Sequence, residues 1–275
     1  MSADFERRFG GLRRLYGVAG AQRIFDAHVM VVGIGGVGSW AAEALARSGV
    51  GRITLVDMDH IAESNVNRQV HALDATLGQA KVLAMRERML AIHPQAQVAV
   101  IDEFVDADNW ARILADAVAQ QGPLSAVIDA CDQMGAKTAM AAWALGTRAR
   151  LVSVGAAGGK RLAHLVEVDD VANSTHDPLL AQLRYRLRKH HGASRDGRIG
   201  VRVVFSREAV APPDPSCAID DNDGSLNCHG FGSVVSVTAT FGLCAAGWVM
   251  NALAAPTPVQ KTAAPSKRPQ NDAII

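Results

Sequence analysis

An apolar, β-branched run that leads into a glycine loop is the feature that most constrains the fold of this chain. Residues His28–Ile34 are predicted to form a buried strand, and Ser39–Ser48, rich in Ala, the helix after it. Between them Gly33, Gly35 and Gly38 match the spacing GxGxxG. Glycines let a backbone approach phosphate closely, and a helix N-terminus offers free N–H groups. The combination of strand, glycine loop and helix therefore predicts a site for a nucleotide phosphate.

Strand and helix signals alternate over the rest of the first half. The further predicted strands are Arg52–Asp57, Gln97–Asp102, Ala126–Ala130 and Arg150–Val154. The predicted helices between them are Gly78–Ile92, Asn109–Gln120 and Gly135–Gly146. We therefore predict an α/β fold with a Rossmann-like, mostly parallel sheet and helices on both faces. Sheets of this kind bind ligands at the carboxyl ends of their strands.

The pattern changes after Lys160, where a smaller C-terminal α+β extension is predicted. His164–Val168 and Val201–Phe205 are expected to pair antiparallel, with a basic helix-to-loop stretch between them. A Pro- and Asp-rich loop follows over Ala211–Gly224. We predict three parts: a nucleotide-binding domain over residues 1–160, the extension over 161–255, and a disordered tail over 256–275.

Cysteine spacing and one uncharged segment bear on the cellular compartment. The four cysteines form no CxxC pair, which argues against a zinc knuckle and suits a reducing cytoplasm. Residues 231–255 carry no charge and are long enough to cross a bilayer. Because Ser, Thr, Asn and Gly interrupt this segment, we expect a helix buried under the sheet or in a dimer interface. Peripheral or single-pass membrane association is the alternative.

Charged side chains beyond the glycine loop separate two classes of nucleotide enzyme. Asp57 lies at the spacing of a carboxylate that holds ribose hydroxyls, which fits a nicotinamide or an ATP enzyme alike. Arg68 and Lys81, brought to the same edge, can neutralise a triphosphate. Asp132, after the fourth strand, can hold Mg²⁺ that bridges such phosphates. Either basic residue alone is ordinary surface charge, but the combination favours ATP.

Several motifs together resemble the ubiquitin-activating-enzyme-like adenylyltransferases. They are the glycine loop with Gly36, Asp57-x-Asp59, Asn65-x-Asn67-Arg68-Gln69, Gly78-x-x-Lys81 and Asp129-x-x-Asp132. A closer similarity, reaching to about Ala252, is to the tRNA threonylcarbamoyladenosine dehydratases. It is carried by Arg8-Phe9-Gly10-Gly11, Asn67–Ala72, Gly155–Gly159, Gln182–Arg188, Phe205–Ala209 and Gly230-Phe231-Gly232.

The resemblance implies a reaction. ATP would adenylate the carboxylate of the threonylcarbamoyl group on an adenosine beside the tRNA anticodon, and the group would then cyclise with loss of AMP. Adenylation supplies the leaving group, and proximity accelerates an intramolecular closure. The enzyme would be of the ligase type and form a homodimer. A monovalent cation and a cysteine desulfurase system are additional candidate partners.

The resemblance also implies roles for particular residues. Arg68 and Lys81 would grip phosphates, Asp132 would bind Mg²⁺, and an N-terminal arginine, Arg8 or Arg14, would enter the partner subunit's site. The residues expected to contact the nucleotide are Gly33, Gly35, Gly36, Gly38, Asp57, Asp59, Asn65, Asn67, Arg68, Lys81 and Asp129. A cyclisation needs no catalytic thiol, so Cys217 and Cys228 are expected to be idle.

A basic stretch in the second half predicts a polyanionic partner. Charge alone fits a solvated face equally well, but with the resemblance it favours tRNA, bound mostly through phosphates, and no DNA. The residues expected to bind tRNA are Arg184, Arg188, Lys189, Arg195 and Arg198. An activator of a ubiquitin-like sulfur-carrier protein is the alternative function. A nicotinamide dehydrogenase and a non-catalytic nucleotide sensor are more distant ones.

Overall fold

Seven strands form one sheet in the computed structural model, which describes residues 4–214 and 231–256. The strands are β1 His28–Val32, β2 Arg52–Val56, β3 Gln97–Ile101, β4 Ala126–Asp129, β5 Leu151–Val154, β6 Val166–Asp170 and β7 Arg202–Ser206. Their order is β3-β2-β1-β4-β5-β7-β6, and only β6 runs antiparallel to its neighbour. The predicted α/β fold with a mostly parallel sheet is confirmed.

Helices cover both faces of the sheet, as predicted. They are α1 Phe5–Phe9, α2 Gly11–Phe25, α3 Gly38–Arg47, α4 Lys81–Ile92, α5 Trp110–Gln121, α6 Met134–Thr147, α7 Pro178–His190 and α8 Val235–Ala254. Successive side chains of a strand point to opposite faces. Accordingly, Val29 and Val31 of β1 pack with α3, α4 and α8, whereas Met30 and Val32 pack with α5, α6 and α7. Burial on both sides explains why β1 is apolar throughout.

The strand order places one crevice at the centre of the sheet. The chain proceeds from β1 outward to β3 and then returns to β4 on the other side of β1. The carboxyl ends of β1 and β4 therefore flank a switch in strand order, where open α/β sheets bind ligands. The glycine loop follows β1, and Asp132 follows β4.

The second half of the chain extends the same sheet. The antiparallel pair predicted there is present, with Val168 opposite Val204, and β7 also pairs in parallel with β5. A two-stranded pair alone is marginally stable, and pairing with β5 stabilises it by making it part of the larger sheet. Residues 161–214 and 231–255 thus contribute to the layers that the first 160 residues build. Cys217, Cys228, Gly230, residues 215–224 of the predicted loop and residues 257–275 of the predicted tail lie outside the described residues.

The long apolar helix α8 packs under the glycine-loop helix. Val237, Phe241 and Val249 are fully buried on its inner side. A Cβ on Gly242 would lie 2.3 Å from the carbonyl oxygen of Val37, so glycine permits the close contact of α8 with the start of α3. By length and composition alone α8 could cross a membrane, but half of its most apolar window is buried inside the protein.

Candidate active site

The glycine loop folds tightly against the chain that leaves β4. Gly33 has φ +85°, and a Cβ there would lie 2.8 Å from the Ala130 carbonyl oxygen. Gly38 opens α3, and a Cβ on it would lie 1.7 Å from the Gly33 oxygen. Both positions therefore require glycine. The loop presents the start of α3 to the crevice, where a phosphate can be held by backbone N–H groups.

Asp57 directly follows β2, and its carboxylate binds the backbone just after β1. One carboxylate oxygen accepts the Ile34 N–H at 2.6 Å, and the other accepts the Asp59 N–H at 2.8 Å. Burial raises the pKa of Asp57, while the nearby Lys81 charge lowers it. A carboxylate accepts about four hydrogen bonds, so two backbone N–H groups leave capacity for ribose hydroxyls. The predicted ribose contact is compatible with this position.

Lys81 is the first residue of α4 and lies at the same edge of the sheet. Its Nζ is 2.7 Å from Asp59 Oδ2, and its side chain is 8% exposed whereas that of Asp59 is 50% exposed. The Lys81 N–H also donates to the Asp59 carbonyl at 2.9 Å. Asp59, predicted to contact the nucleotide, thus holds the ammonium beside Asp57. Because Asp59 is partly exposed, a phosphate bound at this edge would compete with its carboxylate for the ammonium.

Arg68 covers the glycine loop. A Cβ on Gly36 would lie 3.1 Å from Arg68 Cγ, so the arginine stem packs directly on the loop. Its guanidinium donates to the Ser64 carbonyl at 2.7 Å and to Asn67 Oδ1 at 2.8 Å. Trp40 Nε1 donates to the Arg68 carbonyl at 2.9 Å. Sequence reasoning missed this indole, although it lies in the first turn of α3.

The two asparagines of the same motif shape the backbone around Arg68. Asn65 is buried, and its Oδ1 accepts the Ala62 N–H at 3.1 Å. Asn67 is exposed, and its Nδ2 donates to the Ser233 carbonyl at 3.1 Å, which ties the motif to the segment before α8. Their predicted nucleotide contacts remain predictions, because the described bonds are to the protein itself.

Two buried polar side chains next to this motif lack protein partners. Gln69 Oε1 and both ring nitrogens of His71 have no hydrogen bond. The Gln69 amide nitrogen is 4.0 Å from the place where a Cβ on Gly35 would lie, so this amide borders the glycine loop. A buried polar atom without a partner is costly, and a polar ligand at the glycine loop would relieve that cost for Gln69. Sequence reasoning did not single out either side chain.

The two aspartates after β4 have different environments. Asp132 is exposed on the loop between β4 and α6, where a carboxylate can reach a metal–phosphate complex. Asp129 is fully buried and accepts from Lys137 Nζ at 2.8 Å and from Ser153 Oγ at 2.6 Å. Its predicted nucleotide contact is not what the structure displays: Asp129 lies beneath the crevice and supports it.

The side chains near Asp132 determine which metal it could bind and whether a reactive thiol lies beside it. Within residues 4–214 and 231–256, no cluster of three or more His, Cys, Asp or Glu side chains could hold a metal ion. A lone carboxylate suits Mg²⁺, which fills its remaining positions with phosphate oxygens and water. Cys131 is adjacent, but burial raises the pKa of its thiol well above the ordinary value, so it stays protonated.

The two N-terminal arginines lie on different helices. Arg8 of α1 donates to the Ile92 carbonyl, at the opposite end of α4 from Lys81. With a rise of 1.5 Å per residue, that end is roughly 16 Å from Lys81. Arg14 of α2 is exposed, next to Leu15, whose side chain is 75% exposed. Arg8 therefore does not approach the Lys81 site of its own subunit.

The predicted tRNA residues are not equivalent. Arg184 is half-buried, and its guanidinium donates to the carbonyls of Val171 at 3.0 Å and Ser174 at 2.9 Å, so it braces the loop before α7. Arg188 Nε donates to the Ser194 carbonyl at 3.1 Å. The exposed members of the set are Lys189, Arg195 and Arg198. These three, together with Arg186 and Arg188, are called the α7 basic face below.

Taken together, the central crevice, the glycine loop and the two basic side chains at one edge define a nucleotide-binding α/β protein. The model of the ThiF family matches residues 10–268. The tRNA threonylcarbamoyladenosine dehydratase of Escherichia coli K12 is 43% identical over 254 residues, which cover 89% of this chain and 92% of that protein. The Haemophilus influenzae protein of the same name is 37% identical over 253 residues, which cover 91% and 94%.

A solved structure agrees with these similarities. The crystal structure of the E. coli tRNA N6-threonylcarbamoyladenosine dehydratase in complex with ATP matches with a TM-score of 0.80 at 42% identity, covering 90% of this chain and 94% of that one. The chain belongs to the ThiF family and, within it, to the tRNA threonylcarbamoyladenosine dehydratases.

Proposed function

We propose that this chain dehydrates N6-threonylcarbamoyladenosine in tRNA at the expense of ATP. The observation that carries the proposal is the crevice between β1 and β4. There Arg68 packs on the glycine loop and Lys81 lies at the same edge of the sheet, paired with Asp59, in a chain similar to the E. coli dehydratase over most of its length. The E. coli structure named above holds ATP, and we transfer that ligand to this crevice.

The reaction proceeds in two steps. A carboxylate oxygen of the threonylcarbamoyl group attacks the α-phosphorus of ATP, and pyrophosphate leaves. A carbamoyl nitrogen or oxygen then bonds to the activated carboxyl carbon, a carbamoyl N–H gives up its proton, and AMP leaves with the original carboxyl oxygen, so one water is lost overall. Lys81 and Arg68 stabilise the charge that develops on the phosphates, because fixed positive groups in a sheltered site need no reorganisation. The other residues predicted to contact the nucleotide keep that proposed role, except Asp129, which is fully buried beneath the crevice.

Mg²⁺ is the proposed metal, and Asp132 the carboxylate that would hold it. When bound, Mg²⁺ neutralises phosphate charge. The exposed position of Asp132 at the crevice is compatible with this role. A monovalent cation and a cysteine desulfurase partner are proposals drawn from the family resemblance alone, whereas a cytoplasmic location is proposed from the cysteine spacing.

We further propose a homodimer in which Arg14 enters the partner subunit's site. Leu15 and Val18 of α2 are 75% and 67% exposed, and such apolar side chains favour burial in an interface. Arg14 lies on the same exposed stretch. Arg8 is the weaker candidate, because its guanidinium already donates to the Ile92 carbonyl.

The rival function is adenylation of a ubiquitin-like sulfur carrier. Pyrophosphate release measured with either substrate separates the two, because both adenylation reactions release it. We expect pyrophosphate release with threonylcarbamoylated tRNA and none above background with a carrier that ends in Gly-Gly. The opposite pattern would support the rival, and the α7 basic face would then need another explanation.

A further inference from the structure

The outward side of α7 carries an exposed aromatic side chain. Leu180, Leu183 and Leu187 are fully buried and define the inner side of this helix. The opposite side presents Gln182, Tyr185 and Lys189, at the spacing i, i+3 and i+7. Tyr185 is 59% exposed, although tyrosine rings usually cover most of their apolar surface.

Lys189 restrains the ring of Tyr185. Its Nζ lies 5.3 Å from the ring centroid, within the range of a cation–π contact. The contact favours this orientation of the ring, which stays exposed to solvent. Arg188 follows Tyr185 by three residues on the helix, and Arg195 and Arg198 are exposed on the loop that follows α7. An aromatic ring among cations is the combination that proteins use to bind unpaired nucleotides, since the ring stacks on a base and the cations neutralise phosphates.

The start of α7 lies near the proposed ATP site. Asp177 caps the helix by accepting the Leu180 N–H at 3.0 Å, and its other oxygen accepts the Ala156 N–H at 2.9 Å, just after β5. β5 is the neighbour of β4, which leads to Asp132. Tyr185 is eight residues beyond Asp177, or about 12 Å along the helix at 1.5 Å per residue. The rise along α7 from Asp177 to Tyr185 thus corresponds to roughly three to four stacked nucleotides at 3.4 Å each, a span within one RNA loop.

We propose that Tyr185, steadied by Lys189, is a stacking platform for an unpaired base of the tRNA anticodon loop. This inference rests on the proposed function and adds to it a contact to a base. Phosphate contacts on the α7 basic face hold any RNA, whereas a ring that stacks on a base selects single-stranded RNA over a duplex. The platform thus lets the enzyme prefer the loop in which the modified adenosine lies.

Binding of two RNA probes tests the platform. One probe is an unmodified anticodon stem-loop, and the other is a blunt duplex of equal length. We expect Tyr185→Ala to weaken stem-loop binding about 5- to 150-fold, the range that loss of base stacking produces, and to leave duplex binding unchanged. Tyr185→Phe is the matched control; it keeps the ring, so its stem-loop affinity should stay within about twofold.

Two results would overturn the platform. One is unchanged stem-loop affinity of Tyr185→Ala, and the other is an equal loss for stem-loop and duplex, which would indicate a general effect on the basic face. Neither touches the proposed reaction, because wild-type AMP release with threonylcarbamoylated tRNA is measured separately. Thermal melting of both variants and their ATP affinity serve as checks on folding, and both should match wild type because Tyr185 is exposed.

Discussion

The ammonium of Lys137 lies 2.8 Å from a carboxylate oxygen of Asp129, and neither side chain is exposed to solvent. The same ammonium donates to Ser153 Oγ at 3.1 Å and to the Val154 carbonyl at 2.9 Å, so all three of its protons are used. Burial lowers the pKa of Lys137, but the Asp129 carboxylate raises it above its ordinary value. The charged pair joins the ends of β4 and β5 directly beneath the crevice.

Removing the ammonium should therefore destabilise the fold. Lys137→Met leaves the Asp129 carboxylate buried without a cation, and we expect a loss of about 3–5 kcal/mol in the free energy of unfolding. Urea denaturation measures it. The double variant Lys137→Met with Asp129→Leu removes both charges and should recover much of the loss. A loss below about 1 kcal/mol in the single variant would contradict this account of the pair.

Lys81 should matter for chemistry far more than for stability. Its partner Asp59 is half-exposed, so Lys81→Met should cost at most about 1 kcal/mol of unfolding free energy. AMP release with threonylcarbamoylated tRNA should fall about 10²- to 10³-fold, as when one charge-stabilising donor is removed. Asp59→Asn is the control that keeps the ammonium, and its AMP release should fall less. Activity of Lys81→Met within a few-fold of wild type would remove Lys81 from the proposed site.

Mixing two inactive variants tests whether Arg14 acts in the partner subunit. A mixed dimer of Arg14→Ala and Lys81→Met subunits contains one site with an intact Lys81 and an intact arginine from the partner. Random exchange should therefore restore about a quarter of wild-type AMP release, since half the dimers are mixed and each has one working site. If Arg14 acts within its own subunit, no mixture recovers activity. If Arg8 has the role instead, Arg14→Ala alone keeps its activity before any mixing.

Charge reversal on the α7 basic face should weaken tRNA binding and spare ATP binding. Arg195→Glu with Arg198→Glu changes two exposed side chains. The loss of two phosphate contacts should reduce the slope of log affinity against log salt concentration by roughly two. Arg7→Glu with Arg148→Glu makes the same change in net charge elsewhere and is the control. Arg184 is a poor test position, because its guanidinium braces the loop before α7. Equal tRNA affinity in both double variants would contradict the assignment of this face.

His71 should make stability depend on pH. Burial, with the nearby charges of Lys81 and Arg88, lowers its pKa from 6.5 to about 4 in the folded protein. Between pH 6.5 and pH 4 His71 is protonated in the unfolded chain but not in the folded chain. The free energy of unfolding therefore falls as the pH drops from 6.5 towards 4. His71→Leu removes this contribution, worth at most about 3 kcal/mol. Unfolding curves from pH 7 to pH 4 measure it, and parallel pH profiles of variant and wild type would show that His71 is not responsible.

The parts of the site that were predicted correctly from sequence are those whose conformation depends on contacts within one short segment. The unit β1–glycine loop–α3 is predicted because its glycines are required by contacts within one short segment, as the φ of Gly33 demonstrates. Helix α4 is predicted from Gly78, yet begins at Lys81, since Gly78 has φ +81° and ends a turn instead. Periodicity locates a helix well and its first residue poorly.

The parts that sequence reasoning missed depend on packing between distant segments. In the motif Asp129-x-x-Asp132, spacing does not say which carboxylate faces the crevice; the structure turns Asp129 inward because Lys137 and Ser153 meet it there. Likewise, the residue types of Gln69 and His71 did not reveal that they are buried without partners. The predicted antiparallel pair gave no sign that β7 would join β5, because that pairing links segments about 50 residues apart.

The mass of the modified nucleoside tests the central claim most directly. The protein is incubated with ATP, Mg²⁺ and threonylcarbamoylated tRNA of verified composition, the tRNA is digested, and the nucleoside is weighed. We predict the loss of one water, dependent on ATP and absent with Lys81→Met. An unchanged mass with wild-type protein and ATP would contradict the proposed dehydration, even if the chain binds both ATP and tRNA.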